Sequence, residues 1–177
     1  MTYTAANPIY NNRGSLALSS TGTLNTAVYG SPLSQPYTVI YVGSITDRTT
    51  GTGCLAFNGG GGIYTVSANT IGFDCGSVVS SYSPAVDNRT PVIWIMIADH
   101  AHTQSFQYEN SNSPLSGGSR GDPGGNTLSG LLLGGASVSS TGDLCEVIVY
   151  DHVLNASEIK AAMIGLANYY ALPIVIT

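Results

Sequence analysis

The chain has 177 residues, enough for one domain with a real core, and only 8% of them are charged, against roughly 25% in ordinary globular chains. With a single lysine, Lys160, four arginines and a net charge of −5, no basic patch is available, which argues against nucleic acid as a partner. A hydrophobic content of 43% argues against disorder, and no apolar run approaches the roughly 20 residues of a membrane helix, so no membrane insertion is expected.

Residues 1–13 are polar and broken by Asn7-Pro8 and Asn11-Asn12. They predict an extended N-terminal arm, with Tyr3, Ile9 and Tyr10 available to dock it, and the remaining domain spans 14–177. Leu16–Ser19 reads as a short strand, and the turn-rich stretch from Gly22 to Pro36 holds Tyr29. Tyr37–Ile45, YTVIYVGSI, is β-branched and aromatic throughout, as a central strand covered on both faces requires. Cys54–Phe57 is a strand that runs into Asn58 and four glycines. No Lys-Ser/Thr follows that run, so it predicts a hairpin turn and not a phosphate loop. Ile63–Ser67, Thr70–Cys75 and Val78–Tyr82 are short strands, and Pro91–Ala98 is a second apolar central strand holding the only tryptophan, Trp94. A partly alternating stretch at His102–Glu109, the glycine-rich loop Ser116–Asn126 and a strand at Thr127–Leu133 follow.

Gly142–Pro173 carries the clearest local signals. A strand comes first, in which regular alternation puts Leu144, Glu146, Ile148 and Tyr150 on one face. Asn155 with Glu158 three residues later spells a capping box, and Leu154 with Ile159 spells a hydrophobic staple. Ile159, Met163, Leu166 and Tyr170 then share one helical face, and Pro173 ends the helix. Many short strands and one late helix, at about 154–171, predict an all-β sandwich of two packed sheets, with the two apolar strands in their middle. Leu172–Ile176 is an apolar tail suited to a last strand. Cys54, Cys75 and Cys145 leave at least one thiol unpaired and fit no metal spacing. Buried apolar thiols are expected, the alternative being a Cys54–Cys75 bridge in an oxidising compartment.

The segment GDLCEVIVYDHVLNASEIKAAMIGLANYYAL resembles the C-terminal signature of concanavalin A-like lectin/glucanase domains, in their laminin-G-like variants from phage and bacterial proteins. The matching positions are Gly142, Glu146, Val147, Ile148, Val149, Tyr150, Leu154, Glu158 and Tyr169-Tyr170. PYTVIYVG at Pro36–Gly43, the stretch Pro91–Asn110 and LSGLLLGG at Leu128–Gly135 are similar to other core strands of that family. The resemblance implies a two-sheet antiparallel jelly-roll sandwich. It leaves function open, because this fold hosts binders, enzymes and structural proteins alike.

A retaining glycosidase needs two carboxylates about 5 Å apart, and none of the ten acids forms an alternating pair on a strand. Glu146 is expected to accept hydrogen bonds from a tyrosine or from backbone groups, and no enzymatic role is expected. Asp99, His100 and His102 read as a turn after a central strand. The resemblance admits calcium, for which Asp99, Asp122 and Asn126 are the loop-tip candidates. Their acid density is too low to define a site of six to eight oxygens, so no cofactor is expected.

The leading expectation is a non-enzymatic structural or adhesive virion protein, such as a phage capsid decoration protein or a tail-fibre or receptor-binding component. It would be a homo-oligomer or associate with other virion proteins such as the major capsid protein. The alternative is a carbohydrate-binding, lectin-like module of a secreted or surface protein, binding a surface glycan through Tyr29, Tyr64, Tyr82 or Tyr108. A glycan-active hydrolase comes third.

Overall fold

The computed structural model describes residues 2–18, 23–26, 29–45, 53–58, 60–67, 70–82, 90–115, 118–134 and 141–177. Its strands are β1 (Thr2–Asn7), β2 (Arg13–Leu18), β3 (Thr23–Asn25), β4 (Tyr37–Ile45), β5 (Gly53–Phe57), β6 (Gly62–Ser67), β7 (Thr70–Asp74), β8 (Val78–Tyr82), β9 (Val92–Asp99), β10 (Gln104–Glu109), β11 (Leu131–Gly134) and β12 (Gly142–Tyr150). One α-helix, α1 (Ala156–Tyr170), follows. The strands form two six-stranded antiparallel sheets, β1-β2-β12-β4-β9-β10 and β3-β11-β5-β6-β7-β8. This is the expected jelly-roll sandwich with a single C-terminal helix.

The two apolar strands are not divided between the sheets. β4 and β9 are neighbours in the first sheet, with Tyr41 opposite Trp94 and Ile40 opposite Ile95. They are apolar on both faces because that sheet is a middle layer. Tyr37, Val39, Tyr41, Trp94 and Met96 face the second sheet, where they meet Leu55, Phe57, Ile63 and Phe73. Ile40, Val42, Ile93, Ile95 and Ile97 face the other way, onto Leu154, Ile159, Met163, Ala167 and Tyr170. Each such side chain removed from water contributes roughly 1.5–3 kcal/mol. Buried Glu109 lies opposite Trp94 and accepts its indole N–H at 2.6 Å.

The helix start matches its sequence signals. Asn155 Oδ1 accepts the Ser157 and Glu158 N–H groups at 2.9 and 3.1 Å, and Glu158 Oε2 accepts the Asn155 N–H at 2.8 Å. Leu154 and Ile159 are buried in the same cluster, as the staple requires. The helix ends at Ala171, which turns left-handed at φ 53° before Pro173.

Three readings are corrected. The register of β12 against β4 shifts between Leu144 and Glu146, a bulge that breaks regular alternation. Leu144 therefore packs inside the sandwich with Val147 and Val149, while Cys145, Ile148 and Tyr150 lie on the helix side. Residues 1–13 are not a separate arm: β1 pairs with β2 as the edge of the first sheet, and Tyr10 is fully buried under the helix end. The C-terminal tail makes one isolated bridge, Ser111 with Val175, instead of a strand.

Cys75 and Cys145 are free thiols, so Cys75 takes no part in a bridge to Cys54. Burial pushes both up to about 12, out of the nucleophilic range. Among the described residues no helix is long and apolar enough to cross a membrane.

Candidate functional site

One end of the sandwich gathers the segment 29–36, the starts of β4 and β10, the ends of β9 and β12, and the loop 118–126. Two features form there, and the segment 29–36 takes part in both.

The first is a polar knot. Gln35 Nε2 donates to the carbonyls of Gly124 (2.5 Å) and Asn126 (3.2 Å), and Gln35 Oε1 accepts the His100 N–H at 2.9 Å. His100 Nδ1 lies 2.8 Å from Asp122 Oδ1, which also accepts the Gly124 N–H at 2.8 Å. These contacts hold the Asp122 carboxyl below the usual carboxylate range, the His100 bond contributing most. Asp99 accepts the His102 backbone N–H at 3.3 Å and meets His102 Nδ1 at 2.7 Å. The Asn126 N–H donates to the Cys75 carbonyl at 2.7 Å, and its carboxamide donates to the Gly60 carbonyl at 3.4 Å. Asp122 and Asn126 thus share the loop that meets the turn begun by Asp99, with His100 as the link. Their side chains are engaged with N–H donors and carbonyls that lace the loop to both sheets. Among the described residues no group of three or more His, Cys, Asp or Glu side chains is placed to hold a metal ion. Gly124 sits at φ +84° with its α-carbon against the backbone of Cys75–Ser77, so a side chain there would open the knot.

The second feature is an open groove of about 510 Å³, lined by Tyr29, Ser31, Leu33, Val149, Tyr150 and Asp151. Backbone bonds fix its walls. The Tyr29 N–H donates to the Ser129 carbonyl at 2.8 Å, and Leu33 and Leu128 exchange N–H···O bonds of 2.8 and 2.9 Å. Tyr29 and Leu33 also pack against the inner core, and burial raises the Tyr29 phenol above its ordinary value. On the other wall Tyr150 closes β12 opposite Thr38. The Thr38 hydroxyl donates to the His152 carbonyl at 2.8 Å and accepts the Leu154 N–H at 3.2 Å, pinning the turn that carries Asp151. The Asp151 side chain is 80% exposed, 3.1 Å from His152 Nδ1. That bond and the residue's own backbone N–H lower its pKa, keeping it anionic. The His152 ring stands edge-on to Tyr150, with centroids 5.8 Å apart. The groove is therefore lined by two tyrosines, a serine and an ionised carboxylate, with Tyr29 on the inner-core side of β12 and Tyr150 on the helix side.

Of the marked tyrosines whose side chains are described, Tyr29 lines this groove and Tyr64 and Tyr108 do not. Tyr108 is corrected: it is 7% exposed in the core beneath α1, because its face of β10 is the helix-facing one, so it can present no platform. Tyr64 lies on the outer face of β6 with Gly53 and Gly72 as its cross-strand partners, which leaves its ring room to cover them. Tyr82 lies in β8 opposite Thr70, and its side chain is outside the described residues. Tyr150 and Asp151 were not marked. Their signal was an aromatic–acid pair where a strand meets a turn, a place where loops deliver function.

A second groove of about 490 Å³ runs between β12 and α1, lined by Cys145, Glu146, Gly165, Leu166, Tyr169 and Tyr170. Its carboxylate is already engaged, since the Tyr170 hydroxyl donates to Glu146 Oε2 at 3.0 Å. This is the tyrosine partner expected for Glu146.

No protein-family model matches this sequence, and no match was found among curated proteins. Solved structures are similar in fold. The CBM40 module of Ruminococcus gnavus IT-sialidase, bound to α2,3-sialyllactose, superposes with a TM-score of 0.65 at 13% identity, over 84% of this chain and 96% of that one. The native heptameric SAP-like pentraxin of Limulus polyphemus gives 0.64 at 14% identity, over 84% and 81%. The binding domain of Paraclostridial Mosquitocidal Protein 1 gives 0.70 at 12% identity, over 97% of this chain and 48% of that one. At such identities the likeness is one of fold: the chain adopts the concanavalin A-like jelly roll.

Proposed function

We propose that this chain is a non-catalytic, carbohydrate-binding module whose glycan lies in the groove between Tyr29 and Tyr150. The observation that carries the proposal is that two tyrosines, Tyr29 and Tyr150, line one open groove together with Ser31 and the exposed Asp151. A pyranose ring has an apolar face of C–H groups and a rim of hydroxyls. The first packs on an aromatic ring, and the second donates charge-assisted hydrogen bonds to a carboxylate. A glycosidase of the two-carboxylate kind needs a second carboxylate across from the first, and Asp151 is the single carboxylate among the described lining residues. The fold likenesses to a sialyllactose-bound module and to the binding domain of a mosquitocidal protein support the binding reading over that of a virion building block.

The test is a glycan-array screen of the full chain, followed by calorimetric titration of the hits. Tyr29→Ala is expected to weaken binding at least about fivefold, since base-size aromatic stacking contacts are worth roughly 1–3 kcal/mol. Tyr64→Ala is expected to leave binding unchanged. Hits that depend on Tyr64 and not on Tyr29 would overturn the assignment of the groove.

A further inference from the structure

The groove's electrostatics narrow the class of glycan it accepts, an inference that rests on the carbohydrate-binding reading above. We infer that the groove takes uncharged sugars and discriminates against sialylated and other acidic ones. Among the described residues lining it, the one group charged at neutral pH is the Asp151 carboxylate. A sialic acid placed there would bring a second carboxylate against it, with no cation among the described lining residues to stand between them.

Two of the basic side chains are placed away from the groove. Arg13 stacks over the Tyr169 ring, 4.1 Å from its centroid, beside the helix end. Lys160 reaches the carbonyl of Thr177 at 3.5 Å. Arg120 is anchored by its backbone N–H to the Ser105 carbonyl on β10, and two strands, β4 and β9, separate β10 from β12. Three strand spacings of about 4.8 Å put that anchor roughly 14 Å across the sheet from the strand that ends at Tyr150. Arg48 and Arg89 lie outside the described residues. The nearest basic ring, His152, has Nδ1 turned to Asp151 and Nε2 4.0 Å from Glu158 Oε1, so both nitrogens face the protein's own acids. The net charge of −5 adds a repulsive field over the surface. The sialyllactose-bound module shares the fold, and this reading therefore separates the two in ligand class.

The experiment titrates the full chain with matched glycan pairs, lactose against α2,3-sialyllactose and neutral against sulfated oligosaccharides, together with the uncharged hits from the array. Each acidic member is expected to bind at least about threefold more weakly than its neutral partner, the effect of two like charges about 6 Å apart in water. Asp151→Asn, at an exposed position, is expected to keep the melting temperature, weaken the neutral ligand and shrink the neutral-to-acidic ratio toward one. Raising the salt concentration is expected to shrink that ratio too. Acidic glycans that bind as tightly as their neutral partners, with the same dependence on Tyr29, would overturn this inference and leave the carbohydrate-binding reading standing. Absence of Tyr29-dependent binding to either class would overturn both.

Discussion

Removing the Glu146 carboxylate separates a side chain that docks the helix from one that performs chemistry. In the structure the Tyr170 hydroxyl donates to Glu146 Oε2 at 3.0 Å, and Tyr170 is 4% exposed. Tyr170 also stands edge-on to Tyr10, with centroids 6.4 Å apart, and to Tyr169 at 4.8 Å. Hydrogen bonds to charged groups are worth about 1.5–3 kcal/mol, and Glu146 is only half-buried, so Glu146→Ala is expected to cost about 1–2 kcal/mol. In a domain of this size that lowers the melting temperature by roughly 2–8 °C. Glu146→Gln keeps an acceptor for the phenol and is expected to cost less than about 1 kcal/mol. The assay is urea unfolding of both single variants, Tyr170→Phe and the Glu146→Ala/Tyr170→Phe pair. A coupling energy of about 1 kcal/mol is expected, because each change removes the same bond. A coupling indistinguishable from zero would refute the docking role. So would a glycan-hydrolysing activity that Glu146→Gln abolishes while stability stays unchanged.

Two further outcomes test the scaffold. Asn155→Ala removes the acceptor for two helix N–H groups and is expected to cost about 1 kcal/mol, read as a fall in melting temperature of roughly 2–4 °C; an unchanged melting curve would show that the cap does not hold the helix. Alkaline pH is expected to destabilise the fold, because burial raises Cys75 and Cys145 to about 12 from an ordinary value near 9. Both stay protonated in the folded chain while the unfolded chain releases their protons, so their stabilisation is complete below about pH 9 and is lost as pH rises toward about 12. Each thiol steepens the fall by up to about 1.4 kcal/mol per pH unit. Urea midpoints measured across that window check this, and Cys75→Ala should flatten the decline.

The sequence carried its clearest information where local chemistry acts alone. The capping box at Asn155 and Glu158, the staple from Leu154 to Ile159 and the hairpin after Phe57 each depend on residues a few positions apart. The two apolar runs identified β4 and β9 as covered on both faces. That they are neighbours depends on long-range pairing, which no local pattern encodes. The bulge in β12 was hidden for a different reason: an extra residue shifts the register without altering composition, so alternation counted from Leu144 put it on the wrong face. Tyr29 was legible as an aromatic in a turn-rich stretch. Tyr150 looked like any strand-end aromatic, and only the antiparallel pairing that carries the end of β12 to that side of the sandwich brings it to the same groove as Tyr29. Tyr108 misled because β10 alternates toward the helix at that residue, and the helix lies more than forty positions later.

The pairing of Leu18 with Gly142 also sets an order on folding. β2 is made well before the strand that completes its far edge, which follows roughly 120 residues later. Until β12 arrives, the β1–β2 hairpin has no neighbour, and β4 lacks one of its two ladders. The isoleucines and valines of β4 and β9 on the outer face of that sheet stay bare even longer, until α1 emerges. A nascent chain of this topology cannot close its core stepwise on the ribosome. It must hold a sticky, half-built sheet and then condense late and slowly, as folds dominated by distant contacts do.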